Sequence, residues 1–270
     1  MNEYQGLSDV FFLMLYGAAG WFALVACIYL LFRRGNAFAD DVHSSRRLRW
    51  WTAAFLLSVF ASHVWWAVLG PVWLTDDRLV RNIVAIALDR LTFVPLMMCV
   101  LLRMLQDRRR PLWPVWAAVA PVAVLAVVCI ALRSDVFEVA VEWYMAVVAL
   151  VFVICYVRAV RQYGRWLLDN YADLERKEVW QSLLLLAFIL FVHVAYSTNG
   201  GALLTEYLAQ VNTLVIITFL VWRVETLEEV VSEEEMETGR QDLEPLDKGR
   251  LSLDIPKGGA CYRRDARMQG

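Results

Sequence analysis

Apolar residues occur along this chain in long stretches, separated by shorter segments rich in charged residues. Each stretch is close to the ~20 residues that an α-helix needs to cross a hydrocarbon layer about 30 Å thick. The pattern predicts seven transmembrane helices, at about residues 10–32, 51–70, 83–105, 112–132, 139–160, 180–198 and 203–223. The first stretch is too long for a removable signal peptide and lacks the basic start and cleavage site of one, so we expect it in the mature protein.

Composition points to the same class of protein. Hydrophobic residues make up 60% of the 270 residues and the mean hydropathy is +0.49, which does not fit a single soluble core with a polar exterior. We therefore expect an all-α, polytopic membrane protein with the lipid bilayer as its main partner. Residues 1–230 form the predicted seven-helix membrane domain, and residues 231–270 form an acidic tail whose Gly and Pro residues favour disorder.

The distribution of Lys and Arg predicts the orientation of the helices. The loops after the first, third and fifth predicted spans carry 14 basic residues, whereas the loops on the opposite side carry 3. Basic residues accumulate in cytoplasmic loops. We therefore expect the N-terminus outside and the C-terminus in the cytoplasm.

The segment 161–182, with the sequence RQYGRWLLDNYADLERKEVWQS, has an amphipathic pattern. Its apolar and aromatic positions recur at spacings of three and four, and its charges follow another face. The pattern predicts a helix at the membrane surface that continues into the next span, or else a solvated connector. On the surface helix, aromatic side chains face lipid or protein and charged ones face water. The candidate coupling residues are Trp166, Asp169, Tyr171, Asp173 and Lys177.

Two stretches, YGRWLLDNYADLERKEVWQS and VWRVETLEE, carry a family resemblance. They resemble the juxtamembrane parts of bacterial membrane-embedded regulators, in which a multi-helix sensor precedes an AraC-type helix-turn-helix or a histidine kinase. The resemblance implies a membrane sensor domain in the bacterial inner membrane. About 45 residues follow the last predicted span, too few for either output domain. We therefore expect no direct nucleic-acid binding and no kinase activity, and as partner either a second copy or a separate cytoplasmic output protein.

Ionisable side chains inside apolar spans are costly and mark candidate sites. All of those in this chain fall in the predicted outer half of the spans, so they could line one outward-facing cavity for an unidentified ligand or for protons. Expected pairings are Arg90 with Glu142, and Asp89 with His63 or His193. A polar network that only fixes helix packing, or snorkelling to the interface, are the alternatives. The candidate residues are His63, Asp89, Arg90, Glu142, His193 and Asn212.

Several cofactor chemistries find little support in the sequence. A retinal protein needs a lysine within a span, but the lysines are Lys177, Lys248 and Lys257. His63 and His193 as haem ligands are a weak signal. The cysteines stand singly, without the spacing of a metal site. We expect no cofactor, no metal and no enzymatic activity.

Two further interpretations stay open. The chain could be a truncated remnant of a full-length regulator. It could also be a small transporter or channel, although the sequence shows no pair of similar halves.

Overall fold

Every regular element in the described part of the chain is an α-helix. A computed structural model describes residues 7–33, 45–72, 77–105, 111–170, 180–185, 187–189 and 203–227. The predicted all-α class is confirmed for these residues. The helices are α1 (Leu7–Phe32), α2 (Arg46–Val72), α3 (Arg78–Met104), α4 (Trp113–Leu132), α5 (Phe137–Asn170), α6 (Trp180–Ile189, without residue 186) and α7 (Leu203–Thr226).

Six of these helices, all except α6, are long and apolar enough to cross a membrane. The structure therefore supports a multi-pass membrane protein. Helix α6 is shorter than a span, and residues 190–198 of the predicted sixth span lie outside the described residues. The seventh span stays a prediction, as do the orientation of the helices and the acidic tail at 231–270.

Several helices extend beyond the apolar stretches that predicted them. Helices α2 and α3 begin several residues before the predicted spans, because backbone hydrogen bonding continues where hydrophobicity has ended. At the start of α3, the carboxylate of Asp77 accepts hydrogen bonds from the backbone N–H groups of Leu79 and Val80. This is a side-chain N-cap, which satisfies donors that the first helical turn leaves open.

Helix α5 continues through the apolar stretch into the amphipathic segment and ends at Asn170. Residues 161–170 are therefore helical, as predicted, but they extend the fifth span and do not form a separate surface helix. Residues 171–179 lie outside the described part of the chain.

The long helices pack as two groups of three. Helices α1, α2 and α7 contact one another, helices α3, α4 and α5 do the same, and α2 joins the groups by packing on α3. In lipid, helix association depends on close packing of small residues rather than on the hydrophobic effect. Accordingly, α1 buries a stripe of small side chains against its neighbours, formed by Ala19, Ala23, Ala26 and Cys27.

Helix α1 approaches α2 closely at Gly20. A Cβ atom added to Gly20 would lie 3.2 Å from the Cβ of His63, tighter than most contacts between side chains. Glycine therefore sets the α1–α2 separation next to the histidine that the sequence marked as a candidate site residue.

Candidate functional site

A cavity of about 600 Å³ lies between α1, α2, α3 and α7. Its walls are mostly apolar and aromatic, with four polar side chains among them: Ser62, His63, Gln210 and Thr213. The volume falls in the range of small-molecule sites, although this cavity is open to the surface and not enclosed.

His63 joins three helices at the cavity wall. Its Nδ1 lies 2.8 Å from the carbonyl oxygen of Val59 and its Nε2 lies 3.0 Å from Oε1 of Gln210 on α7. The hydroxyl of Tyr16 on α1 donates to the backbone carbonyl of His63 at 2.9 Å, and the two rings contact each other with their centroids 4.5 Å apart and their planes tilted by 42°. Side chains from α1 and α7 thus meet on one residue of α2.

The contacts of His63 also limit its protonation states. Val59 offers a carbonyl, so Nδ1 carries a proton. A neutral ring then accepts at Nε2, which requires the amide nitrogen of Gln210 to face it, whereas a charged ring donates to Oε1. The orientation of the Gln210 amide and the charge of His63 are therefore linked.

Asp89 lies behind the cavity wall and locks α3 to α2. Its Oδ1 accepts from the hydroxyl of Ser62 at 2.7 Å and from the indole N–H of Trp65 at 3.0 Å, and its Oδ2 accepts from the indole N–H of Trp66 at 2.6 Å. Indole N–H groups only donate, so both carboxyl oxygens act as acceptors. Helix α3 begins at Arg78, which places Asp89 near the middle of that helix.

The predicted pairings of Asp89 with His63 and of Arg90 with Glu142 are not formed among the described residues, and the pairing of Asp89 with His193 involves a residue outside them. Asp89 is held by Ser62, Trp65 and Trp66 and not by His63, although the Ser62–Asp89 bond places both candidates at one wall. Within the described ranges, no ion pair joins Arg90 to Glu142, and Glu142 is exposed on α5. Arg90 projects about 100° around the helix from Asp89, which explains why the two neighbours do not share a site.

The other candidates fall away from the cavity or outside the described residues. Asn212 does not line the cavity, and its Oδ1 is buried without a hydrogen-bond partner in the described part of the chain. Trp166 and Asp169 are both exposed on the α5 extension, beside the buried Leu167. The candidates outside the described residues are Tyr171, Asp173, Lys177 and His193.

A second polar site lies at the other end of α1, α2 and α7, away from the cavity. The guanidinium of Arg49 on α2 donates to Oε1 of Glu225 on α7 at 2.8 Å, to the carbonyl of Leu30 at 3.3 Å and to the carbonyl of Arg33 at 2.6 Å. The side chains of Arg49 and Glu225 are 11% and 0% exposed. We call this set of four residues the three-helix clamp, because it ties the end of α1, the start of α2 and the end of α7.

Sequence reasoning missed the clamp and much of the cavity wall. Arg49 counted only as one of the basic loop residues, and Glu225 was noted only within the stretch VWRVETLEE. Both residues are charged and lie at the end of an apolar stretch, which the sequence shows. Nothing in the sequence indicates that two residues so far apart in the chain form a pair. Tyr16 and Gln210 were missed because uncharged polar residues are common in such helices.

The described residues contain no group of three or more His, Cys, Asp or Glu side chains placed to hold a metal ion. No protein family model, no curated protein and no solved structure matches the chain. The resemblance of the amphipathic segment to membrane regulators therefore stays a prediction.

Proposed function

We propose that this chain is a signal-sensing module of the bacterial inner membrane, of the type that controls a transcriptional regulator or a histidine kinase. The cavity between α1, α2, α3 and α7 receives the stimulus. The clamp end of α7 delivers the response to a cytoplasmic partner, which is either an output protein or a second copy of the chain.

One observation carries this proposal: a single helix belongs to both polar sites. Helix α7 lines the cavity with Gln210, which contacts His63, and enters the clamp with Glu225. About 15 residues of helix separate these two positions, or roughly 22 Å along the axis. A displacement of α7 at the cavity must therefore change its position at the clamp, unless the helix bends between them.

The contacts suit a two-state element. A ligand in the cavity that competes for Gln210 or His63 removes a link between α7 and α2 and favours another packing of α7. At the other end, the clamp holds α7 through a buried ion pair, which has discrete bonded and broken arrangements. Both sites therefore influence which of two packing arrangements α7 adopts.

Pulsed electron paramagnetic resonance, which measures the distance between two spin labels, tests the coupling between the cavity and the clamp. Labels at Arg46 on α2 and Thr226 on α7 lie near the clamp, in a background with Cys155→Ser and Cys261→Ser. We expect Gln210→Ala to shift the distance distribution between the labels, because it releases α7 from His63. Val215→Ala, at an exposed position of α7, is the matched control and should leave the distribution unchanged.

Identical distributions for Gln210→Ala and the background protein would overturn the proposal. Vesicle flux assays address the transporter alternative, since a cavity that moves its ligand across the bilayer would produce time-dependent uptake. Uptake that Gln210→Ala abolishes would replace sensing with transport as the function of the cavity.

A further inference from the structure

We infer that the cavity binds an amphipathic organic cation, such as an alkyl- or aryl-substituted ammonium group. This inference rests on the proposed function and names the ligand class for the same cavity. It depends on the aromatic lining, on the carboxylate behind the wall and on the charges of the lining residues.

Four aromatic rings line the cavity, from three different helices: Phe12, Tyr16, Trp66 and Phe93. Aromatic faces carry negative quadrupole density and attract ammonium groups, especially in desolvated sites. Aliphatic side chains complete the wall, and the remaining volume suits a drug-sized apolar group. The lining thus accepts both parts of an amphipathic cation.

One carboxylate close to this lining is that of Asp89. It lies one hydrogen bond behind the wall, because its donors Ser62 and Trp66 are themselves lining residues. The indole of Trp66 is polarised by donating its N–H to the carboxylate at 2.6 Å, which adds electron density to the ring that a cation would contact. A charge inside the cavity also interacts with Asp89 through low-dielectric surroundings.

No lysine or arginine is among the residues that line this cavity in the described structure. Arg90 follows Asp89 in sequence but projects away from it and does not line the cavity. His63 is the one lining side chain that can carry a positive charge, and its Nε2 lies 3.0 Å from Oε1 of Gln210. Among the described residues the lining therefore offers no permanently charged cation to an anionic ligand.

Equilibrium dialysis with two probes of the same shape, one charged and one neutral, tests the ligand class. The probes are benzyltrimethylammonium and neopentylbenzene, its uncharged carbon isostere, and benzenesulfonate represents anions. The full chain is placed in nanodiscs of zwitterionic lipid, and binding to empty nanodiscs is subtracted to remove partitioning into lipid. We expect the cation to bind at least about tenfold more tightly than the isostere, and the anion not to bind above the empty discs.

Asp89→Asn should abolish the preference for the cation while keeping the shape of the side chain. Glu142→Gln is the control, because it removes a carboxylate from an exposed position of α5 outside the cavity, and it should keep the full preference. If Asp89→Asn fails to fold, the comparison of the three probes on the unaltered protein still decides the ligand class.

Equal binding of the cation and the isostere, tighter binding of the anion, or no binding of any probe would overturn this inference. Spin-label distances separate this outcome from the proposed function. A cation preference without any change at α7 in the Gln210→Ala experiment would leave a binding site but remove sensing. A change at α7 without a cation preference would leave the sensor and remove only the ligand class.

Discussion

Arg49 and Glu225 are 176 positions apart in the chain, yet their side chains form a buried ion pair of 2.8 Å. The pair lies where α2 begins and α7 ends. Arg49 also reaches two carbonyl groups at the end of α1, so its charge stays hydrogen-bonded on several sides. Glu225 is fully buried and depends on this arrangement for its solvation.

Removing one partner of this pair should destabilise the protein strongly. We expect Arg49→Ala to lower the free energy of unfolding by about 3–5 kcal/mol, because it strands the buried Glu225 carboxylate and leaves the two carbonyl groups without their donor. Unfolding in mixed detergent micelles, followed by circular dichroism, measures the change. The double variant Arg49→Met with Glu225→Leu should recover part of the loss, since it removes both charges of this pair together.

A second ion pair among the described residues provides a control for the first. Arg133 and Asp77 lie 3.1 Å apart, but the Arg133 side chain is 79% exposed. Arg133→Ala should change the free energy of unfolding by no more than about 1 kcal/mol. Similar losses for Arg49→Ala and Arg133→Ala would contradict the special role of the clamp.

The two glycines of α1 should respond in opposite ways to alanine. Gly20→Ala places a methyl group 3.2 Å from the Cβ of His63 and 3.3 Å from its Cγ, so α1 and α2 must separate or His63 must move. We expect a loss of about 1–3 kcal/mol in the free energy of unfolding and a weaker His63–Gln210 contact. A melting curve of the protein in detergent reports the loss as a lower midpoint.

Gly17→Ala is the matched control, because nothing lies within 4 Å of the added methyl group. It should leave the midpoint unchanged or raise it, since alanine favours the helix by up to about 1 kcal/mol. An equal fall in the midpoint for both variants would mean that alanine disturbs α1 itself and not its contact with α2.

The extension of α5 should show a sharp difference in accessibility between neighbouring positions. Leu167 is buried at 2% exposure, whereas Asp169 is exposed. In a background with Cys155→Ser and Cys261→Ser, Asp169→Cys should react with a water-soluble maleimide at least about tenfold faster than Leu167→Cys, because burial blocks access of the reagent. Comparable rates at both positions would show that the extension does not pack against the protein.

The excess of basic residues on one side predicts the topology. With 14 Lys and Arg residues in one set of loops and 3 in the other, the N-terminus should lie outside and residue 270 in the cytoplasm. A C-terminal fusion of alkaline phosphatase should be inactive and a C-terminal fluorescent protein bright. An active phosphatase fusion would contradict the predicted orientation.

The sequence indicated most of the helical architecture because hydrophobicity and helix length are both local properties. The apolar stretches located six of the span-length helices, although α3 begins earlier than its apolar stretch. The N-cap carboxylate of Asp77 would have corrected that boundary, since Asp is a strong helix-start signal. The end of α5 was missed because an amphipathic pattern does not tell a separate surface helix from the continuation of a span.

The sequence predicted fewer of the contacts at the cavity wall. His63 and Asp89 were identified by their cost in a membrane, and the structure places both at one wall. Their partners were not identified, because the order in which helices pack decides whether Gln210 or Glu142 faces a given residue. Asp89 and Arg90 show why partners are hard to predict from the sequence. A shift of one residue turns the side chain by about 100° and directs it to a different neighbour.

The length of α5 has a mechanical consequence. Its 34 residues correspond to about 51 Å, well over the ~30 Å of a hydrocarbon layer. Among the long helices it packs mainly on α3 and α4, and a row of large side chains on its outer side, including Trp143, Val147 and Leu150, is exposed. A tilt of about 10° would sweep the end of a ~15 Å overhang sideways by between 2 and 3 Å, roughly half the width of a helix backbone. A change in the tilt of helix α5 would therefore move the buried side chains of its extension, Tyr163 and Leu167, against the helices they pack on.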